Sequence, residues 1–234
     1  MNVMLFPFEY KALVIGSSGA IGQAFVQAFN KDSHCSLVET VSRAQGGLFD
    51  LNDPATIAAA ASQIAAHGPF HVIVDATGAL VIDGIGPEKA MRALRQDSLM
   101  NSFQVNAIGP ALVLREFAPL LASGRTIYAK LSARVGSIAD NKLGGWYGYR
   151  ASKAALNMLL QTAAIELQRK NPELLVVALQ PGTVRSELSK PFATAIESTL
   201  EPEDSVAGML SALAAIVPRH GAHFIDYRGN EIPW

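Results

Sequence analysis

Lys11-Ala12-Leu13-Val14-Ile15-Gly16-Ser17-Ser18-Gly19-Ala20-Ile21-Gly22 is the stretch that decides the fold. Its first five residues form a short, mainly apolar run that suits a buried strand. The chain then turns on small residues and enters Ala20–Asn30, whose apolar periodicity reads as a helix. Strand, glycine-rich turn and helix N-terminus together are what a dinucleotide pyrophosphate requires. Small side chains let the backbone approach the phosphates, and the helix start offers free N–H groups at the positive end of a dipole. Gly16, Ser18, Ala20, Ile21 and Gly22 are the residues expected to hold it.

Outward from this unit, short apolar runs alternate with longer helical patterns. Strands are expected at Ser36–Val41, His71–Ala76, Thr126–Leu131, Leu174–Leu179 and Phe224–Asp226, with a short extra one at Gly47–Phe49. Asp53 is a good N-cap with Pro54 at the first helical position, and Gly68 ends that helix. A long helix is expected over Ser98–Leu121, disturbed at Gly109-Pro110 because proline removes a helix hydrogen bond. Further helices are expected at Tyr147–Arg169 and Glu203–Val217. Strands alternating with helices argue for crossover connections and a parallel sheet. The fold class is therefore α/β: one doubly wound, Rossmann-type domain spanning 1–234, with a mostly parallel sheet of about seven strands flanked by helices.

Composition narrows the function. Half of the 234 residues are hydrophobic and 17% are charged, which suits a large core and buried subunit contacts. A net charge of −1 gives no electrostatic case for nucleic acid or an anionic membrane. The single cysteine, Cys35, excludes an internal disulfide and reads as a packed side chain. Pro54–Val74 lacks charged residues but breaks at Gly68-Pro69, so it reads as helix, turn and strand, not as a membrane span. The start of the chain lacks the features of a signal peptide, and a cytoplasmic location is the default expectation.

Two further signals concern a nucleotide. Ser42-Arg43 follows the second strand, where an acidic residue would bind a ribose 2′-OH and a basic one a 2′-phosphate. Arginine's fork suits phosphate, so NADP(H) is favoured, while Glu39 just upstream leaves room for NAD(H). Asp50-Leu51 would flank the adenine, and Ala76-Thr77-Gly78, after Asp75, would line the adenosine side.

The chemistry is carried by Tyr149-Arg150-Ala151-Ser152-Lys153. Positions i and i+4 share a helix face, so the phenol and the ammonium can meet over one small site. A fixed cation favours phenolate and should lower the tyrosine's pKa from near ~10. Tyr149 is then a proton donor or acceptor for a carbonyl or an alcohol.

With these residues assembled, the chain resembles the short-chain dehydrogenase/reductase family over essentially its whole length. The glycine-rich turn, Asp50, Thr77-Gly78, Asn106, Tyr149/Lys153 and Pro181-Gly182-Thr183-Val184 occur in the family's order and rough spacing. The ending Phe224–Trp234 and the stretch Gly136–Asn141 with Gly144–Tyr147 are similar to the C-factor/sniffer-like carbonyl reductase branch. The resemblance implies that Tyr149 exchanges the proton, Lys153 lowers its pKa and binds the nicotinamide ribose, and Asn106 holds a relay water. Pro181, Gly182 and Val184 would lie beside the nicotinamide. It also implies a small-molecule carbonyl or alcohol substrate, a short substrate loop at about 186–200, and a homodimer or homotetramer. The usual Asn-Asn-Ala-Gly reads Asp75-Ala76-Thr77-Gly78 here. Where the family places paired serines this chain has Ser132-Ala133, so the hydroxyl that polarises the substrate is either Ser132 or Ser137. An alternative function is a non-catalytic, C-factor-like dinucleotide sensor or signalling protein.

Overall fold

In the computed structural model, residues 4–43, 49–185 and 199–234 are described. Six strands form one parallel sheet: β1 Tyr10–Ile15, β2 Cys35–Val41, β3 Val72–Asp75, β4 Thr126–Leu131, β5 Leu174–Gln180 and β6 His223–Asp226. The expectation of about seven strands included Gly47–Phe49, of which 47 and 48 lie outside the described residues.

The strand order β2-β1-β3-β4-β5-β6 reverses direction at β1. A crevice opens where the chain leaves β1 and β3 toward opposite sides, and ligands of doubly wound sheets bind at this switch point. Side chains alternate between two faces along each strand. Leu13, Ile15, Ile73, Tyr128, Val176 and Phe224 join one core. Ala12, Val14, Val72, Val74, Ile127 and Val177 join the other. Helix α1 (Ala20–Lys31) and α6 (Pro202–Ala215) cover the second face. The first is covered by α2 (Pro54–Ile64), α4 (Gly109–Phe117) and α5 (Tyr147–Leu167). Among the described residues, no helix is long and apolar enough to cross a membrane.

Helix α2 begins as its sequence requires. The Asp53 carboxylate accepts from the Ala55 N–H at 2.9 Å, and Pro54 occupies the first turn, where no donor is missed. The expected long helix is four pieces: α3 (Gln96–Phe103), a π-helical turn at Gln104–Ile108, α4 and a 3-10 turn at Ala118–Leu120. Pro110 lacks an N–H and its ring crowds the carbonyl four residues back, that of Asn106. The chain widens into a π-turn, closed by Gly109 N–H on the Gln104 carbonyl, just before the proline. Gly109 also lets α4 sit on Leu51, since a Cβ there would lie 2.7 Å from the leucine Cβ.

Candidate active site

The crevice at the switch point is a cavity of about 300 Å³. Gly16 and Ser18 line it from the first turn, Ser42 and Arg43 from the end of β2. Asp50 and Leu51 line it from the segment before α2, and Ala76, Thr77 and Gly78 from the end of β3. The structure thus gathers nine of the expected cofactor residues from four separate segments. Gly16, at φ +82°, brings the first turn against the third: a Cβ there would stand 3.0 Å from the Ala76 carbonyl carbon. Ala20, Ile21 and Gly22 form the first turn of α1 behind this wall. Asp50 closes an Asx turn by accepting from Asn52 N–H at 2.9 Å. Glu39 turns instead to His67, Oε1 to Nδ1 at 2.7 Å, and does not line the cavity.

Pro181, Gly182 and Val184 follow β5. The Pro181 carbonyl accepts from the Ser205 hydroxyl at 2.6 Å, anchoring the segment to α6. Val184 bridges to Leu200. The expected substrate loop falls almost entirely outside the described residues, as do Leu188, Phe192 and Ile196, which would have formed its apolar face.

Tyr149 and Lys153 share the inward face of α5. The Lys153 Nζ stands 5.7 Å from the Tyr149 ring centroid and is 3% exposed. It donates to the Leu131 carbonyl at 3.1 Å. Two glycines make room for it. A Cβ on Gly136 would lie 2.8 Å from the Lys153 Cβ, and one on Gly78 would lie 3.4 Å from the Nζ. Gly78 also touches Asn106: its missing Cβ would be 3.0 Å from Oδ1. Asn106, fully buried in the π-turn, accepts from Ala79 N–H at 2.9 Å and donates to the Ala79 carbonyl at 2.8 Å. This two-way bond consumes its side chain and locks the turn after β3 to the helix above it.

The protonation of the pair differs from the expectation. Burial pushes the Tyr149 phenol up to about 12. Lys153 is pulled down to about 7, first by burial and then by the charge of Lys130, with Asp75 opposing. The amine turns to a backbone carbonyl at the end of β4 and is buried, where charge is disfavoured, while Tyr149 is partly buried at the edge of a cleft. Near neutral pH, Tyr149 carries its proton.

Both candidate serines are buried and make local hydrogen bonds. The Ser132 hydroxyl is buried and donates to Asn157 Oδ1 at 2.6 Å. The Ser137 hydroxyl accepts from Asp140 N–H at 3.0 Å. Ser137 also lines a groove with Tyr147, Arg150, Ala151 and Ala154. The cleft at Tyr149 is lined instead by Leu80, Ile82, Ile85 and Pro87, with Glu88, Ser98, Asn101 and Ser102 as its polar members.

Two features escaped sequence reasoning. Lys130 and Asp75, register partners on β4 and β3, form an ion pair at 2.9 Å, 1% and 0% exposed. A lysine inside the otherwise apolar run Thr126–Leu131 was the available signal, since a buried ammonium needs a carboxylate. Glu88, also buried, caps α5: its Oε2 accepts from Gly148 N–H at 3.0 Å. The clue was a helix start, Trp146-Tyr147, without a Ser, Thr, Asp or Asn cap.

A parallel sheet with a glycine-lined crevice at its switch point, and a Tyr/Lys pair beside it, defines a nucleotide-dependent oxidoreductase fold of the short-chain type. The family model "short chain dehydrogenase" matches residues 10–197, and the chain belongs to that family. The C-signal protein of Myxococcus xanthus is 34% identical over 169 residues, covering 71% of this chain and 94% of that protein. A short-chain dehydrogenase/reductase from Burkholderia multivorans, solved with bound NADP, superposes with a TM-score of 0.81 at 28% identity, covering 97% of this chain and all of that one. The carbonyl reductase Sniffer of D. melanogaster shares the fold, with a TM-score of 0.78 at 20% identity, over 97% of this chain and 100% of that chain. The chain is thus a short-chain dehydrogenase-family protein similar to C-signal, and it shares the fold of sniffer.

Proposed function

We propose that the protein reduces a small or medium apolar aldehyde or ketone with NADP(H), Tyr149 acting as the general acid. The observation that carries this reading is the Tyr149–Lys153 pair on one helix face, its lysine buried against Gly78 and Gly136 and its tyrosine at the edge of a cleft. Nothing else in the fold requires a lysine there, and its desolvation is costly.

The crevice fits a dinucleotide. Gly16 and Gly78 leave backbone surface that a Cβ would cover, and the donors around it are small hydroxyls, turn N–H groups and one arginine. Gly16, Ser18 and the start of α1 would take the pyrophosphate, and Ser42 with Arg43 a 2′-phosphate. Asp50 and Leu51 would flank the adenine, Ala76, Thr77 and Gly78 would take the adenosine side, and Pro181, Gly182 and Val184 would border the nicotinamide. Arg43 at the rim and Glu39's engagement with His67 both support NADP(H) over NAD(H). The related Burkholderia protein, which holds NADP, supports the same reading. Once bound, the reduced nicotinamide supplies the hydride.

The remaining work falls to this chain. Tyr149, protonated at neutral pH, donates to the carbonyl oxygen as that oxygen becomes alkoxide. Lys153, in its ammonium form, stabilises the phenolate that the transfer leaves. Asn106 fixes the turn that orients both. Leu80, Ile82, Ile85 and Pro87 give the substrate an apolar wall and exclude water. Tyr149 would polarise the substrate oxygen, with Ser132 or Ser137 as the second hydroxyl the resemblance implies.

A second reading is a dinucleotide-dependent signalling protein that does not turn over, favoured by the similarity to C-signal. One experiment separates them: NADPH oxidation with a panel of aldehydes and ketones, for wild type and Tyr149→Phe. Turnover by wild type and its loss in the variant supports the reductase; equal rates end that assignment. Exposed apolar side chains on α4's approach and the outer face of α5, Ile108, Met158 and Leu159, support a homodimer or homotetramer. Light scattering on the eluting protein tests this, and a monomeric mass would overturn it.

A further inference from the structure

The Lys130–Asp75 pair has no part in the reaction just described, yet it stands directly beneath the residues that do. Lys130 Nζ donates to Asp75 Oδ1 at 2.9 Å, to the Thr77 carbonyl at 2.6 Å and to the Thr77 hydroxyl at 2.9 Å. The same Asp75 oxygen accepts from the Thr77 N–H at 2.9 Å and from its hydroxyl at 2.6 Å. Thr77 is therefore gripped from both charges. Its neighbours are Gly78, against Lys153 and Asn106, and Ala79, doubly bonded to Asn106. Lys153's own bond is to the carbonyl of Leu131, the residue after Lys130.

A buried ion pair is a poor way to gain stability, because desolvation offsets the attraction and an apolar pair of similar volume often serves as well. Here it also sets an ammonium beneath the site amine. Resting on the reductase reading of this site, we propose that Lys130 and Asp75 are positioning residues that fix the Thr77–Ala79 turn and govern how readily Lys153 takes a proton.

The charged and titratable groups around Lys153 are few. Lys130 and Asp75 face it from the strands, and Tyr128 lies beneath them on β4. Tyr149 shares its helix, and Glu88 caps that helix one residue before Tyr149. Arg134, in the turn packed on the lysine stem, is committed to Asp140 at 3.0 Å and Asp226 at 3.5 Å. Lys130 is thus the cation that opposes a proton on Lys153, and Asp75 the anion that favours one. Burial is the largest cause of the lowered Lys153, and next to it Lys130 lowers the group more than Asp75 raises it.

The test uses protein carrying ¹³Cε-lysine, titrated by NMR without substrate, with the Lys153 signal assigned by Lys153→Arg. In Lys130→Met the Lys153 midpoint should rise by about one pH unit or more, since a like charge is removed and an opposite one remains. In Asp75→Asn/Lys130→Met, which keeps the buried charge balanced if the single variant does not fold, it should rise by less. In Lys130→Arg it should stay within a few tenths of wild type. The alkaline limb of kcat/KM for NADPH-dependent carbonyl reduction should move upward with the midpoint. A midpoint unmoved in the two Met variants, or moved equally in Lys130→Arg and Lys130→Met, overturns the proposal. A purely structural pair would change stability and leave the midpoint in place. Because the titration needs no turnover, failure of the reductase assignment would show as absent activity with the lysine shifts still present.

Discussion

Replacing Lys153 by methionine should stabilise this protein, and by an amount that depends on pH. A free lysine binds its proton below pH 10.5, whereas Lys153 does so only below about 7. Between those values the unfolded chain holds a proton that the native state refuses. Stability therefore rises with pH across this window, and the full penalty is felt below about 7. At 1.36 kcal/mol per pH unit, the ceiling on that penalty is about 5 kcal/mol. Lys153 is 3% exposed, so solvent does little to screen it. Its bond to the Leu131 carbonyl and local relaxation around a buried charge reduce the measurable part, to roughly 1.5–2.5 kcal/mol. Methionine has nearly the same reach and volume and adds no cavity. Urea unfolding at pH 7, 8 and 9 measures the effect, with the far-UV signal as readout. The variant should exceed wild type at pH 7, and by the linkage relation the difference should shrink by about half at pH 9. Other titrating groups are common to both proteins and cancel. A variant less stable than wild type at pH 7, or a difference that does not change with pH, would refute the reasoning. The same variant should have lost turnover, so stability and activity would move in opposite directions at one residue.

Three further outcomes follow from the site and its surroundings. Arg43→Ala should weaken NADPH binding about 10–100-fold and NADH binding little, because one charge-assisted contact is removed; fluorescence titration with both nucleotides checks it, and equal losses would show that Arg43 holds no phosphate. Gly78→Ala forces a side chain into φ +130° and places its Cβ 3.0 Å from Asn106 Oδ1, so a loss of about 1–3 kcal/mol and at least tenfold slower turnover are expected. An unchanged melting temperature would show that the turn has slack the distances deny. His223 is held down at about 4 by burial and by Arg219, against Glu231; since the unfolded chain protonates near 6.5, stability should fall by up to about 2 kcal/mol between pH 7 and 5, and His223→Gln should flatten that slope.

The fold was legible because its signals are local. Each strand run, the Asp53-Pro54 start and the glycine turn after β1 depend on a few consecutive residues, and the observed elements begin and end within two or three residues of the expected ones. The Tyr149/Lys153 pair was legible for the same reason: i to i+4 on a helix is a fixed geometry. What local reading could not give was protonation. The expectation that Lys153 would acidify Tyr149 considered the pair alone, whereas burial acts most on both groups, and Lys130 and Asp75, which arrive from two strands, act next on Lys153.

That failure has a definite physical origin. A lysine in a buried strand announces that some carboxylate must meet it, yet the chain has 20 acidic residues and the lysine does not say which. The choice is made by the β3–β4 register, which sets Asp75 opposite Lys130 with both side chains on the α5 face. A shift of one residue would turn Lys130 into the opposite apolar core, against α1 and α6. The ion pair thus penalises slipped pairings strongly while contributing little net stability to the correct one. On the proposal above, register and the protonation of Lys153 rest on the same two side chains. Replacing them by an isosteric apolar pair should therefore cost the protein its pH optimum before it costs the fold.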